Sequence, residues 1–263
     1  MTTVADILKY VETLAPTYMK MDWDNVGLLC GSRETPVTKV LMALDPFEGV
    51  CREAAEWGAE LIVTHHPIIF DPLKSVTEET TVGRSIMTLC RHGISAVNAH
   101  TNLDCAPGGV NDVLAATLGL NDVETIPPFF RDDQGRQWGL LRRGRVEEQP
   151  LSQFLETVKS SLDAEGLRYV DGGKPVCVVA VGGGHCSDEL MSAFEAGCDT
   201  FVTADIKYNE FWDAQALGMN LIDAGHFATE NPVVAVLAEK IAAAFPEVQV
   251  KISETHRDCM KFY

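Results

Sequence analysis

Short runs rich in Val, Ile and Leu alternate with amphipathic helical pattern along the first hundred residues, and this alternation restricts the fold more than any other feature of the chain. The apolar spacing predicts a helix over 4–14, a strand over 38–44, a helix over 48–58, a strand over 60–64, a helix over 83–92 and a strand over 94–99. Helix and strand in alternation imply an α/β layer with a largely parallel sheet. In such sheets ligands sit beyond the carboxyl ends of the strands. Turn-rich residues from Ile126 to Gly135 interrupt the rhythm, and a strand is expected over 137–145. The pattern then resumes with a helix over 151–163, a strand over 176–181, a glycine loop and helix over 182–196 and a strand over 199–203. A helix over 208–217, a strand over 219–223 and a long helix over 229–244 follow. The expected organisation is an N-terminal α/β half over 1–125, a second α/β module over 126–225, and a C-terminal helix and strand over 226–263. The halves look alike in pattern but show no residue-level repeat.

Chemistry-bearing side chains gather where the apolar runs stop. His65 and His66 stand between Leu61-Ile-Val-Thr64 and Pro67, and similar clusters close three other stretches: His100 with Asp104, Thr203-Ala-Asp205, and His226 with Glu230. Imidazoles and carboxylates in this mixture suit a zinc-type or manganese-type centre better than a magnesium or calcium cage. In a regular strand successive side chains point to opposite faces, so His65 and His66 would not converge on one ion while the strand continued. They could serve two neighbouring ions. Pro67 suits a strand that leaves the sheet there. The plain alternative is one hydrogen-bonded core histidine beside an exposed neighbour. His226 and Glu230 are four apart and stack on one helix face if the helix begins by residue 226, although Asn231-Pro232 disturbs that geometry. Glu230 is equally read as an acidic residue favoured by the dipole of a first helical turn, and Asp104 as a turn cap. Counted together, His65, His66, Asp104, His226 and Glu230 exceed the three protein ligands usual at a mononuclear catalytic zinc. Five ligands with one bridging carboxylate suit a pair of ions.

Secondary features carry alternatives of their own. Val181-Gly-Gly-Gly-His-Cys-Ser187 could cradle an anion on its backbone N–H groups, or be a tight strand-to-helix turn capped by Ser187. His185 in that loop is expected to be exposed. Asp22, Asp24 and Asn25 could orient ligating histidines or form a turn beside Trp23, with the turn favoured for Asp22. No Gly-x-Ser-x-Gly elbow and no Gly-x-x-x-x-Gly-Lys phosphate loop occurs. An amidohydrolase-type barrel would call for His-x-His after its first strand, and the chain has adjacent histidines instead.

Composition narrows the partners. Against 38 Asp plus Glu stand 21 Lys plus Arg, and the resulting net charge of -17 argues against nucleic acid as a primary ligand. A phosphorylated small molecule stays open, because bound dications invert the local field of an acidic protein. The eight cysteines include no Cys-x-x-Cys pair, which suits free thiols in a reducing cytosol. No basic segment followed by an apolar stretch opens the chain and no apolar run approaches the ~18 residues of a spanning helix, so a cytoplasmic protein without membrane anchoring is expected.

Asp22-Trp-Asp-Asn-Val-Gly-Leu-Leu-Cys-Gly31, Thr64-His-His-Pro67, His100-Thr-Asn-Leu-Asp104, the Gly182-Gly-Gly184 loop and Gly225-His-Phe-Ala-Thr-Glu230 together resemble the GTP cyclohydrolase 1 type 2 family, also called the Nif-three-like dinuclear metal-centre hexamer family. The resemblance runs from about residue 5 to residue 250, with the motifs in the same order. It implies two related α/β domains with mixed sheets flanked by helices, a dinuclear centre facing an internal cavity, and a toroidal homohexamer. It also implies two divalent ions per chain, with His65 and His226 holding one, His66 and Asp104 the other, and Glu230 bridging. Zinc, manganese, iron, cobalt and nickel all suit such ligands. The expected activity is metal-dependent hydrolysis of a nucleotide or related small molecule through a metal-activated water, with His100 the nearest candidate for the catalytic proton transfer. A non-catalytic metal-binding or regulatory hexameric scaffold is the rival expectation. It is favoured by Asn209, which stands where members of that family often carry a histidine after Lys-Tyr. Some longer relatives insert a separate domain between the halves, for which 263 residues leave no room.

Overall fold

The computed structural model describes residues 1–131, 133, 135 and 137–263. In chain order the elements are α1 (Val4–Leu14), β1 (Gly27–Cys30), β2 (Lys39–Ala43), α2 (Glu48–Trp57), β3 (Leu61–Thr64), α3 (Thr81–His92), β4 (Ser95–Asn98) and α4 (Thr101–Cys105). Next come α5 (Val110–Thr117), β5 (Asn121–Thr125), β6 (Phe130–Arg131), β7 (Gln137–Trp138), β8 (Arg142–Gln149), α6 (Leu151–Ser161), β9 (Arg168–Val170) and β10 (Val176–Val181). The chain ends with α7 (Leu190–Glu195), β11 (Thr200–Thr203), α8 (Tyr208–Leu217), β12 (Asn220–Asp223), α9 (His226–Glu230), α10 (Pro232–Ala244) and β13 (Gln249–Ile252). The expected α/β class holds: both main sheets are mixed and flanked by helices. Two compact units divide the chain, Met1–Leu103 with Val234–Arg257, and Asp104–Val233 with Asp258–Tyr263.

The first unit is built on a sheet of order β1-β4-β3-β2-β13. β4, β3, β2 and β13 run parallel, and β1 closes the edge antiparallel to β4. β3 is buried at all four positions, as a central parallel strand covered on both faces must be. Leu41, Ile62 and Ala96 on one face of the sheet pack against Val50 and Ala54 of α2 and Ile86 and Leu89 of α3. Thr3 and Asp6 form a reciprocal capping box that starts α1, and Thr80 accepts from the Gly83 N–H to start α3. Four parallel strands therefore end on one side of the sheet. Asp45 follows β2, His65 and His66 follow β3, His100 follows β4 and His256 follows β13.

The second unit carries a sheet of order β5-β8-β10-β11-β12-β9, in which β10, β11 and β12 are parallel. Side chains alternate between its faces. Val179, Val181, Val202 and Ile222 pack with Leu114 of α5 and Phe154 and Val158 of α6, whereas Ala180, Phe201 and Leu221 pack with Leu190 and Ala193 of α7 and Ala214 of α8. The carboxyl ends of β10, β11 and β12 lead into the Gly182-Gly183-Gly184 loop, Asp205 and His226.

Three local expectations are corrected. The strand expected over 137–145 is two strands, β7 and β8, separated at Gly139-Leu140-Leu141. The long helix expected over 229–244 is α9 and α10, divided at Asn231, because Pro232 opens a new first turn where its missing N–H costs nothing. The helix expected within 182–196 is confined to α7, preceded by a 3-10 turn over Ser187–Glu189, and Ser187 makes no side-chain cap to α7. Asp132 and Gln134 of the turn-rich stretch lie outside the described residues.

Candidate metal centre

In the first unit, β3 stops at Thr64, whose hydroxyl donates to the His66 carbonyl at 2.7 Å while the His66 N–H donates to Leu44 O at 2.9 Å. The pleat has ended, so its alternation does not separate the two histidines. Their rings lie 4.9 Å apart, and the His100 ring is 5.2 Å from His65 and 5.5 Å from His66. One donor atom from each of the three lies within 4.8 Å of the others, near enough for members of the group to hold a metal ion.

The proton positions follow from the partners. His65, 2% exposed, donates from Nδ1 to Ala99 O at 2.9 Å, since a carbonyl only accepts. His66 Nδ1 meets Asp45 Oδ1 at 2.7 Å, and His100 Nδ1 meets Asp24 Oδ1 at 2.7 Å. An ionised carboxylate also only accepts, so all three rings carry the proton on Nδ1 and keep the Nε2 lone pair for a ligand. Asp24 is buried and accepts the Thr101 N–H at 3.0 Å as well as the Thr101 hydroxyl. Burial pushes its carboxyl up, but the bonds from His100 and Thr101 outweigh burial and bring it down to about 2. Asp22 is exposed in the turn, and Asn25 is a structural clamp whose side chain donates to Ile69 O at 2.7 Å. Trp23, 63% exposed, stands edge-on to His100 with ring centres 6.3 Å apart. Asp45, which the motifs did not single out, bonds to both His66 and His256. Burial pushes its carboxyl up, and hydrogen bonds from His256 and His66 carry it well below the usual range.

In the second unit, α9 begins at His226 and ends at Glu230, which puts the two side chains on one face with Nε2 3.0 Å from Glu230 Oε2. His226 Nδ1 meets Asp205 Oδ2 at 2.6 Å, so this ring too points Nε2 away from its anchoring oxygen. Asp205 adopts φ +52, a left-handed conformation that Asp tolerates better than most residues. The glycine loop has a packing role here. Its three N–H groups donate inside the unit, Gly182 to Val202 O, Gly183 to Asn111 Oδ1 and Gly184 to Thr229 Oγ1, so they form no anion cradle. Gly184 has φ +61, and a Cβ there would fall 2.1 Å from Glu230 Oε1 and 3.0 Å from His226 Nε2. Only glycine permits the backbone to pass so close. Asp104 and Glu230 are buried at 7% and 4% exposure. Burial pushes the Cys186 thiol well above its usual value, and the negative charges of Asp104 and Glu230 add to the effect. His185 is exposed and pairs with Asp188 at 3.3 Å, and Asn209 is exposed in the first turn of α8.

Comparison with known proteins agrees with this architecture. A family model described as Duf34/NIF3 (NGG1p interacting factor 3) matches residues 2–259. A Clostridium perfringens protein named GTP cyclohydrolase 1 type 2 homolog is 36% identical over 262 residues, covering 98% of each chain. A relative of the same name from Halalkalibacterium halodurans is 44% identical over 324 aligned positions, covering 84% of this chain and 87% of its own. The crystal structure of a Bacillus cereus protein related to NIF3 superposes with a TM-score of 0.91 at 27% identity, over 100% of this chain and 99% of that one. With the match spanning nearly its whole length, the chain belongs to the Duf34/NIF3 family.

Proposed function

We propose that His65, His66, Asp104, His226 and Glu230 together hold two divalent metal ions, and that the protein is a metal-dependent hydrolase of the GTP cyclohydrolase 1 type 2 kind acting on a nucleotide or a related small molecule. One observation carries this reading: His65, His66 and His226 each have Nδ1 fixed by an oxygen acceptor, which presents Nε2 as a donor, as metal-ligating histidines do. The buried carboxylates of Asp104 and Glu230 supply the anionic oxygen ligands that a divalent ion needs for charge balance. These residues fit such a group. His65 and His226 would hold one ion, His66 and Asp104 the other, and Glu230 would bridge. Ions held there would supply Lewis acidity and lower the pKa of a bound water towards neutrality.

The chain's own residues do the remaining work. Asp24 anchors the Nδ1–H of His100, so Nε2 is the atom that accepts a proton from the attacking water and returns it to the leaving nitrogen. Asp45 and Asp205 hold the planes of His66 and His226. The family name of the relatives makes GTP the first substrate to try: one water adding at the imidazole carbon of guanine breaks one of its C–N bonds and leaves a formamide, and a second water cleaves the other C–N bond to release formate. A homohexamer and a cytoplasmic location complete the proposal. The second is supported by the eight cysteines, which include no Cys-x-x-Cys pair. Among the described residues no helix is long and apolar enough to cross a membrane.

The test is metal stoichiometry on protein purified without a metal-affinity tag, beside Glu230→Ala, followed by formate release from GTP with each candidate ion restored. About two ions per chain that fall sharply in the variant, with metal-dependent formate, is the expected result. Two ions without turnover of GTP would favour the scaffold or another substrate. No specific metal would remove the basis of the proposal.

A further inference from the structure

We infer that His256, in the tail after the last strand, is a positioning residue that fixes Asp45 and, through it, the imidazole of His66. The inference rests on the reading of His66 as a metal ligand. The Asp45 carboxylate is shared between two rings: Oδ1 meets His66 Nδ1 at 2.7 Å and Oδ2 meets His256 Nε2 at 2.9 Å. A carboxylate bonded through one oxygen can still turn about its last side-chain torsion, whereas one bonded through both has its plane set. With the plane set, the direction in which His66 donates is set as well, and so is the direction of its Nε2 lone pair.

The topology delivers His256 to that place. β13 runs parallel to β2, and both strands leave the sheet at the same end, β2 towards Asp45 and β13 towards the tail. The tail is then held by α2. Its Glu53 carboxylate accepts the Ser253 hydroxyl at 2.6 Å, the Glu254 N–H at 3.0 Å, and the Thr255 N–H and hydroxyl at 3.3 and 2.8 Å. The Ser253 N–H donates to Met42 O at 2.8 Å, and the His256 N–H donates to Ser253 Oγ at 3.1 Å. Phe47 stands edge-on to the His256 ring with centres 6.1 Å apart, and the ring is 10% exposed. The backbone of His256 is thus fixed on one side and its ring on the other, which is more order than a surface tail needs. His256 touches neither a substrate nor an ion in this scheme. It acts through Asp45.

The test compares His256→Leu, which removes the donor, with His256→Gln, whose side-chain amide places an N–H where Nε2 was. Crystal structures of the metal-free proteins and Co2+ affinity by chelator competition are the two readouts, and thermal melts establish that each variant is folded. In His256→Leu the Asp45–His66 bond is expected to open beyond ~3.5 Å or to split between conformers. Co2+ affinity at one of two sites is expected to fall about 3- to 10-fold, below the range seen when a ligand's direct outer partner is lost. His256→Gln should keep both near wild type. The inference is overturned if Asp45 and His66 in His256→Leu superpose on the wild-type positions, or if Gln fares no better than Leu. If wild-type protein binds no Co2+ while Asp45 still swings in His256→Leu, the positioning role stands and the metal centre falls.

Discussion

Two side chains set the tolerance of the site to substitution. Asp24 accepts from His100 Nδ1, from the Thr101 N–H and from the Thr101 hydroxyl, so Asp24→Asn sets an amide against groups that all donate. A loss of about 1–3 kcal/mol in urea denaturation is expected, most of it the cost of leaving buried donors poorly matched. Gly184→Ala asks for a Cβ in the space of Glu230 Oε1, on a backbone with φ +61. Denaturant titration should show a destabilisation of more than about 2 kcal/mol, with metal stoichiometry lowered in the same protein. The histidines and acids that close apolar runs were legible in the sequence because strand ends in α/β sheets are where polar side chains can collect. Asp45 also follows such a run, in Val40-Leu-Met-Ala-Leu-Asp45, and the same logic would have found it. His256 was beyond reach of any local pattern, since its partner lies 211 residues away in sequence.

Among the elements, the buried parallel strands and their helices read well because their apolar runs and amphipathic stripes are strong signals. α1, β10 and α8 have the ends that spacing predicts. The strands that escaped notice include the two edges of the second sheet: β5 is exposed at four of its five positions, and β9 has no fully buried residue. An edge strand has one open flank and no need of an apolar run, so pairing, not composition, defines it. The attachment of the tail to α2 carries a pH signature. Burial pushes the Glu53 carboxyl up, but the N–H groups of Glu254 and Thr255 and the hydroxyls of Ser253 and Thr255 outweigh it and hold the group at about 2, against 4.5 ordinarily. A depressed folded value means that the unfolded chain binds the proton first. The stabilisation is complete above the unfolded value near 4.5 and is lost as pH falls through the folded value near 2. Glu53→Gln should flatten the stability profile across that window and cost about 1–3 kcal/mol at neutral pH, read from denaturation midpoints at a series of pH values.

At the scale of the whole molecule, an ion bound to the folded chain and not to the unfolded one adds to stability by mass action. Ligand at a hundred times its dissociation constant contributes about 2.7 kcal/mol. Chelation should therefore lower the melting temperature on the order of 5 °C, and readdition of the native metal should restore it, as followed by calorimetry. Light scattering at several concentrations is expected to report a particle six times the 28.7 kDa chain mass. A single-chain mass throughout would remove the hexamer from the proposal.

Trp23 turns the site into its own indicator. Its indole is one of four in the chain and stands beside His100 and Phe70, largely exposed to solvent. Emission from that ring should dim when cobalt or nickel, whose partly filled d shells drain excited states at short range, settles among the neighbouring imidazoles. Zinc, with a closed shell, should leave it bright, so a cuvette and a lamp separate an open-shell ion from zinc before any substrate is known.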